Sequence, residues 1–184
     1  MAAGSITDRY PWFESVQGAE LQQGDILTGC PILRPEFGAT GGDSPVPITV
    51  NRLAGIIMTQ SCDLVIRADG RCHCKEVLFC PVHSRGELVN DKVFGRKLAW
   101  EEARKGRLPG YHVLNRCDLP EREREFMLVD FSRVFTVDVG VVRQLAANQE
   151  PRLRLLPPYR EHLSQAFARF FMRVGLPVDI PSFR

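Results

Sequence analysis

The strongest periodic signal lies near the C-terminus, where Leu163, Ala166, Phe167, Phe170, Phe171 and Val174 recur at steps of three and four residues. This spacing lines them up on one face of a helix, with Arg160, Glu161, Gln165, Arg169 and Arg173 on the other. Pro158 suits the first turn, where its missing N–H costs nothing, and Gly175 and Pro177 close the segment. A helix is therefore predicted over 158–175, with its apolar face turned to the core.

Elsewhere the pattern favours strands. Gly24–Cys30 reads as a short strand after a turn at Gln22-Gln23-Gly24, and Ala54–Thr59 as a compact apolar strand buried on both faces. Leu64–Arg67 and Cys72–Cys80 flank Asp69-Gly70, a pair that tolerates positive φ, so a hairpin is expected there, with Pro81 ending its second strand. Leu98–Gly106 reads as a short helix closed by glycine, and Tyr111–Leu114 as a strand. Phe126–Val137 is long enough to bend or to form two strands, while the glycines and prolines of 38–47 mark a loop. Many short strands with few helices predict a single α+β domain over 1–184, mostly β. A small, strongly bent sheet or barrel would fill 22–137, with the terminal helix packed across its open side.

Composition narrows the function classes. The 184 residues hold 24 Lys+Arg against 22 Asp+Glu, a net +2 with 44% apolar residues, which is ordinary globular usage without an overall basic footprint. No apolar run approaches the ~20 residues of a membrane span, and the opening residues lack the apolar core of a secretory signal. A cytoplasmic setting without membrane contact follows, with the six cysteines as thiols or ligands rather than a disulfide framework. Local basic stretches remain: Arg96-Lys97, Arg104-Lys105-Gly106-Arg107, Arg116, Arg122 and Arg124, with Phe94, Trp100 and Tyr111 as candidate stacking rings for single-stranded nucleic acid. Glu101, Glu102, Glu121, Glu123 and Glu125 interleave with them, as on a solvated face.

Candidate chemistry gathers after the apolar strand, at Gln60, Cys62 and Asp63, where polar groups on a rigid edge reach solvent. Three readings stand side by side. Asp63 caps a turn beside a buried Cys62; Cys62 ligates zinc; or Cys62 or Asp63 takes part in catalysis, with His73, His83 or His112 as the base. For zinc, Cys62, Cys72, Cys74 and Cys80 are the candidate ligands. Cys72 and Cys74 share a strand face, but Cys80 lies ~20 Å further along a continuous strand, so one site needs a kink or a cross-strand approach. The cofactor expectation is thus none, or one structural zinc. No phosphate-binding glycine loop, G-x-S-x-G elbow or H-E-x-x-H helix occurs.

Two resemblances add to this. Gly24-Asp25-Ile26-Leu27, Arg52–Thr59 and Glu76–Ser84 resemble the first half of the PemK/MazF-like toxins. That resemblance implies an SH3-like, partly open barrel and metal-independent cleavage of single-stranded RNA. Arg52 falls on the family's catalytic arginine and His83-Ser84 on its Thr-Ser pair. Leu53 stands where the toxins have proline, and Gln60–Asp63 has no counterpart among them. Thr59-Gln60-Ser61-Cys62-Asp63, with the Val77-Leu78 and Pro81-Val82 strand and the segment from Pro158 to Pro177, is similar to a family of small uncharacterised bacterial proteins. The expected function is a non-enzymatic binding or adaptor module of a bacterial complex of the defence or toxin–antitoxin type, contacting a protein partner or single-stranded nucleic acid. The alternatives are a ribonuclease using Arg52, Asp63 and His83, a zinc-stabilised module, and a thiol enzyme using Cys62.

Overall fold

The computed structural model describes residues 10–36, 46–68, 70, 72–120, 124–149 and 151–172. Along the chain run β1 (Phe13–Val16), β2 (Asp25–Pro35), β3 (Ile48–Ile57), β4 (Glu76–Ser84), α1 (Lys97–Arg104), β5 (Tyr111–Leu114), β6 (Met127–Asp130), β7 (Phe135–Asp138), α2 (Val139–Asn148), β8 (Arg152–Leu155) and α3 (Tyr159–Phe171). The result is an α+β fold dominated by an antiparallel sheet in the order β1-β8-β2-β3-β4-β6-β5, with β7 also paired to β4. The sheet is open, with β1 and β5 at its ends.

Strand alternation sends neighbouring side chains into two different cores. Ile56, Met58, Cys80 and Val82 join Ile26, Val129, Leu153, Leu155 and Leu163 in one cluster. Ile57, Val77 and Phe79 join Leu27, Ile32, Val137, Val142 and Ala146 in the other. The central run around Ile56-Ile57 is thus buried on both faces, as its composition predicts. Leu163 of α3 is fully buried in the first cluster, with Ala166, Phe167 and Phe170 packed beside it, so the terminal helix lies on the sheet through its apolar stripe. Phe171 of the same stripe is exposed. On the other face, α2 seats Val142 and Ala146, one helical turn apart.

A charged knot ties the sheet together. Asp25, at the start of β2, is 0% exposed, and Arg152 and Arg154 of β8 are 3% and 8% exposed. Asp25 Oδ2 accepts from Arg152 Nε at 3.1 Å and from Arg154 Nη2 at 3.0 Å, while Oδ1 accepts from Arg154 Nε at 2.5 Å. The carboxylate also accepts the Gln22 backbone N–H. Arg152 Nη1 also donates to the Gly18 carbonyl, and Arg152 Nη2 and Arg154 Nη2 donate to the Glu20 carbonyl. Two cations share one anion, and backbone carbonyls take up donors that the carboxylate cannot reach. In Arg152-Leu153-Arg154-Leu155 the leucines face the apolar core and the arginines the knot, a period of two.

Several sequence expectations are refined. Phe126–Val137 forms two strands, β6 and β7, and Tyr111–Leu114 is a strand with the predicted bounds. The expected hairpin at 64–80 shrinks to one bridge, Ile66 to Cys72, with Gly70 at φ 77° donating to the Arg67 carbonyl. Pro81 does not end β4, which runs on to Ser84. Leu78 directs both its N–H and its C=O to the β3 side, bonding Thr59 Oγ1 and Met58 N. By alternation Pro81 turns its missing N–H to the opposite edge, where pairing passes from β7 (to Phe79) to β6 (from Val82). Of the predicted loop at 38–47, residues 38–45 lie outside the described residues, as do Asp69, Arg122 and the helix positions beyond 172. β1, α2 and β8 arise where the pattern carried no expectation.

Asp25→Asn leaves two buried guanidinium groups without their counter-charge. It is expected to destabilise the protein by about 3–5 kcal/mol, read as a lowered urea midpoint with an unchanged m value. At Gly55 an added Cβ would run into the Phe79 ring and come within 2.5 Å of the Cys80 carbonyl oxygen. Gly55→Ala should therefore cost roughly 1–3 kcal/mol, measurable as a drop of several degrees in thermal midpoint.

Candidate functional site

Gln60, Cys62 and Asp63 sit on or beside a 3-10 turn, Ser61–Leu64, that follows β3, and all three are exposed. The turn is anchored from below. Leu64 is buried, Ser61 Oγ accepts the Gln23 N–H, and Gln23 Nε2 donates to the Met58 carbonyl. Cys62 is thus presented to solvent rather than buried, with its Sγ 3.9 Å from Asp63 Oδ1. The Asp63 carbonyl receives the Cys72 thiol at 3.2 Å and the Cys74 N–H at 3.4 Å.

The four cysteines considered as zinc ligands divide. Cys72 and Cys74 come together, with their sulfurs 4.0 Å apart, and Cys62 lies on the adjoining turn. Cys80 is elsewhere, fully buried among Met58 and Val82, on the sheet face opposite Val77 and Phe79. The face shared in a continuous strand is lost because β4 begins only at Glu76, leaving 72–75 out of register. Burial pushes the Cys80 thiol up to about 12, with the negative charge of Asp130 adding to the effect. Among the described residues no group of three or more His, Cys, Asp or Glu is arranged to hold a metal ion.

Arg52, Asp63 and His83 are also apart. Arg52 is exposed on β3 and donates to the Gly29 carbonyl at 3.2 Å. Five strand residues, on the order of 17 Å, separate it from the end of β3, and Asp63 lies beyond that end. Leu53 packs into the cluster of Val77 and Phe79, so Arg52 faces the other side. His83 has the parity of Val77 and Phe79, and Arg52 and His83 therefore point to opposite faces of the sheet.

The predicted basic stretches pair internally. Arg104 bonds Glu101 at 2.8 Å, Arg107 bonds Glu102 at 3.1 Å, and Arg116 bonds Asp118 at 3.3 Å. Phe94 and Trp100 are buried against each other, with Trp100 Nε1 donating to the Phe94 carbonyl, and are unavailable as stacking platforms. Arg122 lies outside the described residues.

A groove that the pattern did not single out lies between α1, β5 and α3. It encloses about 580 Å³ and is lined by Arg104, Lys105, Tyr111, His112, His162 and Arg169, among others, with no carboxylate in its lining among the described residues. A second hollow of about 470 Å³ shares Arg104, His112 and His162, and extends the groove to Trp12, Phe126 and Tyr159. Trp12 and Tyr159 stack with ring centroids 3.6 Å apart at 10°. The α3 contribution has a legible period: His162, Gln165 and Arg169 fall at i, i+3 and i+7, next to Ala166 at the margin of the apolar stripe. His112 lies between the groove and Phe131, whose ring is 6.2 Å away at 24°. Burial drives its pKa down to about 4, aided by the positive charge of His162. Planar rings and cations thus line one channel that can take a flat, anionic ligand.

In the unfolded chain His112 takes up a proton near 6.5, whereas in the folded protein it resists until about 4. The unfolded state holds more protons in that window, so stability falls as pH falls from 6.5 to 4. His112→Gln should lose roughly 1–3 kcal/mol less than wild type between pH 7 and pH 4.5, compared by urea denaturation at both values. Set against known proteins, the chain matches no family model, no curated protein and no solved structure.

Proposed function

We propose that this protein is a non-enzymatic binding module whose α1–β5–α3 groove takes a short stretch of single-stranded nucleic acid. The observation that carries the reading is the groove lining. Arg169 serves phosphates, joined by Arg104 and Lys105, whose ion pairs to Glu101 and Glu102 on α1 would yield to a phosphate. Tyr111, His112 and the Trp12–Tyr159 stack serve bases, with no carboxylate in the lining itself among the described residues. Cations that follow a backbone and rings that accept any base are what sequence-tolerant single-strand binding requires. A duplex buries its base faces and offers only phosphates to the same lining. We read the supporting scaffold as an SH3-like, partly open barrel with α3 across its open side. In support, every strand except β7 sends side chains into the cluster that Leu163 of α3 closes.

Fluorescence anisotropy with labelled mixed-sequence RNA and DNA 12-mers tests this. Binding is expected to weaken with salt, with a log–log slope of about −2 for roughly three neutralised phosphates. Trp12 emission should quench on binding, since Trp100 is buried. Lys105→Glu with Arg169→Glu should reduce affinity at least tenfold while the melting temperature holds. Absence of binding by wild type, or equal binding by the double variant, would overturn the reading.

A further inference from the structure

Away from the groove, three elements converge on two sulfurs. Cys72 and Cys74 precede β4, the Asp63 carbonyl comes from the 3-10 turn, and Arg143 reaches over from α2. The Cys72 and Cys74 sulfurs stand 4.0 Å apart and neither residue is fully buried, so a small oxidant can reach them. Residues 72–75 precede β4 and are tied only by the single Ile66–Cys72 bridge and by isolated backbone bonds at Cys74 and Lys75, so a small adjustment there can close the gap to a bonded sulfur–sulfur distance of ~2.05 Å. Arg143 is held by a hydrogen bond from Nη2 to the Leu64 carbonyl at 2.9 Å, while its Nε N–H is buried with no hydrogen-bond partner among the described residues. This fixed guanidinium stands beside the thiol pair and acts on Cys72 by hydrogen bonding and by charge.

We propose that Cys72 and Cys74 form a reversible dithiol switch oxidised by hydroperoxides, with Cys72 as the attacking sulfur, Cys74 as the resolving sulfur and Arg143 as the cation that faces the charge. The two thiols are electrically unequal. Burial raises Cys72, but the Cys74 backbone, the Arg143 guanidinium and the Cys74 thiol together bring it below the ordinary thiol value. Cys74 is pushed up to about 11 by burial first and then by the charge on Cys72, and so stays protonated while its neighbour ionises.

The chemistry balances with a hydroperoxide as oxidant. The Cys72 thiolate attacks the outer oxygen; an S–O bond forms, the O–O bond breaks, and the alkoxide or hydroxide leaves and takes a proton from water. Cys72 is then a sulfenic acid. The Cys74 sulfur attacks it and gives up its proton; the S–S bond forms, the S–O bond breaks, and the departing hydroxide takes that proton as water. The dithiol loses two electrons and the peroxide gains them. A dithiol reductant restores the pair by exchange.

The test uses the full chain, reduced and then exposed to one to two equivalents of hydrogen peroxide. Remaining thiols are blocked and the peptides mapped by mass spectrometry. The expected product is a Cys72–Cys74 link two mass units lighter, with titratable thiols under denaturing conditions falling from six to four and returning on reduction. Cys74→Ser should stop at a dimedone-reactive sulfenic acid on Cys72. Arg143→Met should slow oxidation about tenfold, while Arg143→Lys restores most of the rate. In unmodified protein at pH 7, Cys72 should alkylate several-fold faster than the more exposed Cys62. Equal or slower labelling of Cys72, or a peroxide-induced link that joins Cys62 instead of Cys74, would overturn the assignment without reference to any variant.

Discussion

A buried carboxylate shared by two buried guanidinium groups is the constraint from which most of this architecture follows. Asp25 has no exposed surface, so its charge is tolerable only while Arg152 and Arg154 both face it. That requirement fixes β8 between β1 and β2 and draws the carbonyls of Gly18 and Glu20 inward to occupy the spare donors. α3 begins four residues after β8, and its start is held by contacts to the same N-terminal region. Leu156 N bonds the Trp12 carbonyl, Tyr159 stacks on Trp12, and Arg160 reaches Gln22. The ion pair therefore sets where His162 and Arg169 stand, although neither touches it.

The two sites draw on different parts of this frame. The groove is built from rigid pieces: a helix, a four-residue strand and a second helix pinned by Leu163. Its ring-lined end needs the N-terminal segment to bring Trp12 to Tyr159. The thiol pair instead occupies irregular backbone between the 3-10 turn and β4, where a bond can form or break beside a single bridge rather than within a continuous ladder. Rigid scaffolding suits recognition, and loose backbone suits a covalent change.

Elements that carry their own signal were legible in the sequence. The stripe from Leu163 to Phe170, the glycine-closed helix before Gly106, the strand at Tyr111 and the doubly buried run at Ile56-Ile57 are all local patterns, and the structure keeps them. What escaped depends on a distant partner. Arg152-Leu153-Arg154-Leu155 reads as half solvated until Asp25 is seen opposite it. Pro81 reads as a strand end until the change of partner strands at that edge is known. The groove went unread because its cations belong to segments about sixty residues apart, and His112 and His162 each look bland alone. Arg143 could not be linked to Cys72 before α2 itself was visible, and α2 is marked mainly by Asp138, whose carboxylate caps it through Gly140 and Val141.

The Asp25 knot also bears on how the chain reaches this state. The bonded partners of Asp25 lie 127 and 129 residues further on, so closing that loop is among the costliest entropic steps of folding. A nascent chain emerging from a ribosome presents Asp25 early and both arginines late. Until β8 arrives, β2 has no tolerable way to bury its first residue. The central strands must then wait in an incomplete sheet with an unpaired edge, and the molecule can be expected to fold slowly, late and all at once rather than piecewise from its N-terminus.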